Sequence, residues 1–150
     1  MRDLHNNIEV SQLLDPATLT ADATDADTTT SSIDLQNYDS AEIIVNVGES
    51  GDTLSGTVKW DFALYESADN TTFTAVADAD LLTRGNSITT TTNGIFATVD
   101  ATDEDDAVYK VGYVGSKRYV HVNIDPTGAH SNGTPLSVTG VRGNPNNAPV

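Results

Sequence analysis

The chain has 150 residues, of which 37% are hydrophobic, and 22 acidic against 7 basic residues leave a formal net charge of −15. That length fits one domain with a single core, and the charge would repel rather than replace counterions along a phosphate backbone, which disfavours nucleic-acid and anionic-membrane partners. With no cysteine there is neither a disulfide framework nor a thiolate metal site.

The start, MRDLHNNIEVSQLL, lacks the apolar stretch of a signal peptide, so the chain is expected to be made and first used in a cytoplasm. Residues 1–7 are polar with only Leu4 as an apolar anchor, and read as part of an extended arm, Met1 to about Val10. Ile8 and Val10 alternate within a possible first strand, which makes 1–10 an arm and first strand ahead of a single domain over 11–150. Residues 15–32, with Pro16 and many Thr and Asp, read as loop or edge.

AEIIVNVG (41–48) is the β-branched run of a buried strand, followed by turn material over 48–56. In TVKWDFALYES (57–67), Val58, Trp60, Phe62 and Leu64 take one face and Lys59, Asp61, Ala63 and Tyr65 the other. Period two makes this a strand, with Trp60 at the centre of the core. LYESADNTTFTAV (64–76) is a hairpin turning at Asp69 and Asn70. ADADLL (77–82) suits one short helical turn, and the Thr-rich stretch 84–94 a polar loop or exposed hairpin. GIFATVD (94–100) is a strand in which Ile95, Ala97 and Val99 alternate, and 101–106 is an acidic loop. AVYKVGYVG and KRYVHVNID are predicted to pair across Gly115 and Ser116, with Val120, Val122 and Ile124 on one face. After a loop over 126–134, PLSVTGVRG is a last strand and NPNNAPV a polar tail. The predicted fold is all-β: an antiparallel β-sandwich or barrel (jelly-roll-like) of about eight or nine short strands.

Chemistry-bearing patterns are sparse. Asp22, Asp25 and Asp27 resemble the front of a calcium loop, but no glycine or distal glutamate follows at loop spacing, and Asp103 to Asp106 are adjacent and diverge. Both read as solvated acidic loops. His5, His121 and His130 have no spacing that a zinc site would need. No nucleophile elbow or phosphate-cradling glycine loop is present, so no catalytic residue, metal or cofactor is assigned and the chain is read as a non-enzyme. Lys117, Arg118 and Tyr119 form the densest basic-aromatic spot: either a strand start with Arg stacked on Tyr, or a docking contact.

Several stretches carry a resemblance when taken together: MRDLHNNI, the run Tyr38-Asp-Ser-Ala41 leading into its strand, LYESADNTTFTAVADADLL (64–82), YKVGYVGSKRYVHVNI (109–124) and the closing V-x-G-x-P-x-x-A-P-V from Val141 to Val150. The chain resembles the small head decoration, or cement, proteins of tailed bacteriophages, of the kind encoded beside the major capsid protein. That resemblance implies a structural virion protein, assembled in the host cytoplasm, that binds the outer capsid surface through the major capsid protein, commonly as a homotrimer. The contact residues it suggests here are Met1, Arg2, Asp3, Leu4, His5 and Ile8 on the arm, with Lys117, Arg118 and Tyr119 on the body. The Thr-rich stretch 84–93 and the acidic loop 101–106 look less typical of it. The alternatives are another phage structural domain (tail tube, tail terminator or fibre-associated) and a carbohydrate-binding sandwich using Tyr65, Tyr113 and Tyr119.

Overall fold

A computed structural model of the chain describes residues 3–22, 27–83 and 93–147. The Thr-rich stretch 84–92, Asp25, Met1, Arg2 and the last three residues lie outside these. The described chain is an antiparallel β-sandwich. Its strands are β1 (Ile8–Ala21), β2 (Thr28–Thr29), β3 (Ile33–Asp34), β4 (Tyr38–Val47), β5 (Lys59–Ser67), β6 (Thr74–Ala75), β7 (Leu81–Leu82), β8 (Ile95–Val99), β9 (Ala107–Tyr113), β10 (Tyr119–Thr127) and β11 (His130–Pro145). Four of these are two-residue pieces, which is why the described strands outnumber the eight or nine expected. The only helical elements among the described residues are single 3-10 turns at His5–Asn7 and Asp78–Asp80.

One sheet has the order β1-β11-β4-β9-β7; in the other, β10 lies between β5 and the short β2 and β3, and β5 also pairs β6 and β8. The pairing is nested: β1 with β11, β2 and β3 with β10, β4 with β9, β5 with β8. A long hairpin wound around a core gives this pattern, and it is the jelly-roll arrangement.

Alternation decides which side chains enter the core. Along β4, Ala41, Ile43, Val45 and Val47 are buried, while Glu42, Ile44 and Asn46 face outward. From β10 come Val120, Val122 and Ile124, each fully buried, and from β5 Trp60, Phe62 and Leu64. β5 and β8 are among the strands that depart from simple alternation. Asp61 and Ala63, on the outer face of β5, are also buried. Asp61 is covered by Lys59 (Nζ at 2.6 Å) and by Thr98, whose hydroxyl donates to it at 2.5 Å; the small Ala63 is flanked by its neighbours Asn123 and Ile95. In β8, Phe96 is fully buried beside Ala97 because the register with β5 shifts between Phe62 and Ala63, breaking the period.

The expected hairpin between 107–115 and 117–125 does not form. β9 pairs β4 and β7, whereas β10 belongs to the opposite sheet, so the connection through Gly115 and Ser116 crosses the sandwich. The physical reason lies at Tyr113. Its ring turns into the core, its hydroxyl donates to the Glu66 carboxylate on β5 at 2.5 Å and accepts the Lys117 N–H at 2.9 Å. A Cβ on Gly115 would fall 2.4 Å from that hydroxyl, so only glycine lets the crossing chain lie over it.

The predicted loop over 126–134 is also replaced by strand. β10 runs to Thr127, the chain turns at Gly128 with φ +79, and β11 begins at His130 and extends to Pro145. Lying between the long β1 and β4, β11 pairs along almost its full length and takes in Asn144 and Pro145, the start of the expected tail. At the N-terminus, β1 crosses the boundary expected at residue 10. Ile8, Glu9 and Val10 pair with Gly143, Arg142 and Val141, so this part of the expected arm lies on its own sheet instead of extending away. The opening hairpin forms as read: β6 returns along β5, Asn70 takes φ 58, and the Asp69 carboxylate accepts the Thr71 and Thr72 N–H groups.

Candidate partner-binding end

The two segments singled out in the sequence, the N-terminal residues and Lys117–Tyr119, meet at one end of the sandwich. They are joined by residues that sequence reasoning missed: Glu9, Asp34, Tyr38 and Arg142. Arg142 donates from Nη2 to Glu9 at 2.6 Å and from Nη1 to the Asp34 carbonyl at 2.6 Å, with its guanidinium 4.7 Å from the Tyr38 ring centre. The Tyr38 hydroxyl donates to the second Glu9 oxygen. Arg118 grips the Asp34 carboxylate as a fork, Nε at 2.8 Å and Nη2 at 2.7 Å, and stacks 4.9 Å over Tyr119. Asp34 therefore links both arginines.

The electrostatics follow from these contacts. The Arg118 hydrogen bond holds the Asp34 carboxyl below its usual range, and the bond to Glu9 pushes the Tyr38 phenol up. Inside the adjoining core, burial and then the bond to Glu66 raise the Tyr113 phenol well above the ordinary tyrosine value. A planar fork matched to a carboxylate and stacked on a ring restricts Arg118 more than a lysine contact would.

Ahead of this network, the Asp3 carboxylate accepts the Asn6 N–H and, at 2.6 Å, its side-chain amide, which sets the turn over His5–Asn7. Leu4 and His5 project from it, Leu4 at 66% exposure. Beside the network is a cleft of about 490 Å³ whose lining includes Tyr38, Asp39, Val114, Lys117 and Arg118. Register then carries the surface across the five-stranded sheet: Val10, Val141, Glu42, Gly112 and Leu82 stand side by side. Of the five large, exposed hydrophobics among the described residues, Leu4, Val10, Leu82 and Val114 belong to this end and row. Scattered exposed apolar residues need no explanation, but Leu4 and Val114 lie at the end held by the two arginines, and Val10 and Leu82 continue onto the outer face of the sheet, on the side opposite the inward Glu9 and Arg142.

The remaining candidates disperse. His121 is buried between the rings of Tyr65 and Phe73 (5.7 and 4.1 Å), and burial lowers its pKa. His130 is fully buried against Trp60, so neither is available on a surface. Tyr113 points into the core, which removes one member of the tyrosine trio considered for carbohydrate. In the acidic loop, Glu104 accepts the Asp100 N–H and Asp105 the Ser50 N–H, both at 2.9 Å, so these carboxylates hold backbone. Among the described residues no group of three or more His, Asp or Glu side chains is placed to hold a metal ion.

No protein-family model matches this chain, and no curated protein matches it either.

Proposed function

We propose that the chain is a structural virion protein that binds the outside of an assembled bacteriophage capsid, through the major capsid protein, and stabilises the shell as a homotrimer. One observation carries the reading: the N-terminal residues and Lys117–Tyr119, which belong to two of the stretches through which the chain resembles decoration proteins, lie at one end, where Leu4, Val10 and Val114 are exposed. Supporting it, jelly rolls recur in viral coat architecture, though they also build lectins, so the fold alone decides nothing. A net charge of −15 suits a position outside the shell, away from packaged DNA.

The mechanism is linkage. A protein that binds the mature lattice and not its disassembled form stabilises that lattice by RT ln(1 + [L]/Kd), about 2.7 kcal/mol per site at a hundredfold excess over Kd. Rigid, pre-formed strands keep the ordering cost of binding low. The test is co-sedimentation with expanded, decoration-free heads of the phage that encodes the chain. Val10→Asp and Val114→Asp change exposed side chains, so the fold persists while capsid occupancy falls at least about tenfold. Unchanged occupancy refutes the contact surface. Recovery of the chain only with purified tails refutes the head location and selects the tail alternative.

A further inference from the structure

At the opposite end of the same sheet, β1, β11, β4 and β9 together form an open trough of about 510 Å³. Its floor and walls include Pro16, Ala17, Val47, Val108, Pro135 and Leu136. Leu136 and Val47 are buried beneath it, while Val108 stands 64% exposed at its side. The depression has a local cause. The register of β1 slips between Gln12 and Leu14 and again between Leu14 and Ala17, and Gly48 lacks the Cβ that would sit 3.0 Å from Pro135. The span from β1 to β9 is three strand spacings, about 14 Å, wide enough for one extended peptide.

Its rim is acidic. Asp106 lines it, Asp15 directly precedes the lining residue Pro16, Glu49 directly follows the lining residue Gly48, and Asp103 stands exposed in the adjoining loop. The four ion pairs among the described residues engage Asp61, Glu42, Asp34 and Glu9, none of them on this rim. The carboxylates nearby accept backbone N–H groups instead, as Asp105 does from Ser50 and Asp52 from Asn132 and Gly133. Apolar walls at Pro16, Pro135 and Val108 flank the hydrogen-bonded Asn46 and Ser137, and the rim carboxylates take part in none of those four ion pairs, an arrangement that selects an aliphatic or prolyl side chain flanked by cations.

A second copy does not supply that complement. Trough against trough sets acid on acid. Lys117, Arg118 and Arg142 belong to the far end of the sandwich, where Arg118 and Arg142 already hold Asp34 and Glu9, and Lys59 and Lys110 are paired with Asp61 and Glu42. We propose that this trough is a docking site for a short extended segment of a different protein, basic at its flanks and apolar at its centre. The inference stands apart from the capsid reading, which uses the other end.

The test uses the full chain, isotopically labelled, and two capped peptides: KRPVPRK and its acidic counterpart EEPVPEE. The basic peptide shifts the amides of Ala17, Val47, Ala107 and Val108, and its affinity weakens at least about fivefold between 50 and 500 mM salt. Val108→Lys and Glu49→Lys each alter an exposed side chain and weaken it about tenfold or more, while Val114→Lys at the far end leaves it unchanged. Absence of binding at about 1 mM peptide overturns the proposal. So do equal affinity for the acidic peptide, shifts confined to other surfaces, or indifference to Val108→Lys. Concentration-dependent polymerisation abolished by Val108→Lys, seen by sedimentation velocity, assigns the trough to a second copy and overturns it too.

Discussion

Thr134→Val isolates one polar contact inside the core. Thr134 on β11 and Trp60 on β5 lie in opposite sheets, both essentially without solvent exposure, and the indole N–H donates to the Thr134 hydroxyl at 3.0 Å. Valine replaces the hydroxyl by a methyl group, so no cavity opens. What changes is that the Trp60 N–H becomes a buried donor with no acceptor. Leaving such a group unsatisfied costs about 1–3 kcal/mol. Ser50, which shares the same hydroxyl at 2.9 Å, is only half-buried and finds water instead. At ~2 kcal/mol, Tm falls by about 4–8 °C for a chain of this size. The assay is calorimetry together with urea titration followed by emission of Trp60, the one tryptophan. A cycle with Trp60→Phe sharpens it. With the donor gone, Thr134→Val costs at least about 1 kcal/mol less than in the parent. Equal costs in both backgrounds, or a Thr134→Val protein as stable as the parent, refute the reasoning.

Two other changes probe charge and backbone. Burial, then the charge of Asp27 and the hydrogen bond with it, raise the Asp125 carboxyl, with Asp61 adding to the effect. A carboxyl raised in the folded state favours folding while protonated, and that contribution is lost as pH climbs from its unfolded value near 4 through the raised one. Asp125→Asn therefore raises Tm at pH 7, and the gain shrinks as pH approaches about 4; equal melting at pH 7 contradicts it. Gly94 sits at φ +78, where an added Cβ would lie 2.4 Å from the Leu64 carbonyl oxygen, against β5, whose Leu64 N–H donates to the Gly94 carbonyl at 2.9 Å. Gly94→Ala costs at least about 1–2 kcal/mol, read as a lower urea midpoint, and an unchanged midpoint contradicts the strain.

The strands with a clean period of two were legible before any coordinates. Inward Ile43 and Val45, the Trp60-Phe62-Leu64 face and the Asp69-Asn70 turn all follow from side-chain period and turn chemistry alone. Sheet membership was not. β9 and β10 are consecutive and both apolar on one face, the signature of a hairpin, yet a jelly roll assigns them to opposite sheets through long-range pairing. Phe96 was missed because a register shift breaks the period, and β11 was cut short because the Gly- and Asn-bearing stretch 126–134 read as loop, although partners on β1 carry the strand through from His130.

The same limit governs the surface. Glu9 and Arg142 are far apart in sequence and neither belongs to a motif; only the pairing of β1 with β11 sets them opposite each other, and only the strand order lines up Val10 with Leu82 across the sheet. Because successive side chains alternate, a one-residue slip of β1 along β11 would carry Val10 to the core face and Glu9 to solvent, away from Arg142 and Tyr38. That slip is opposed twice over: it would expose Leu13, now 4% accessible, and it would leave Arg142 buried without its carboxylate. The packing that fixes the core therefore also fixes the outer surface. In a sandwich of this kind a binding face is specified by register rather than by any local string of residues.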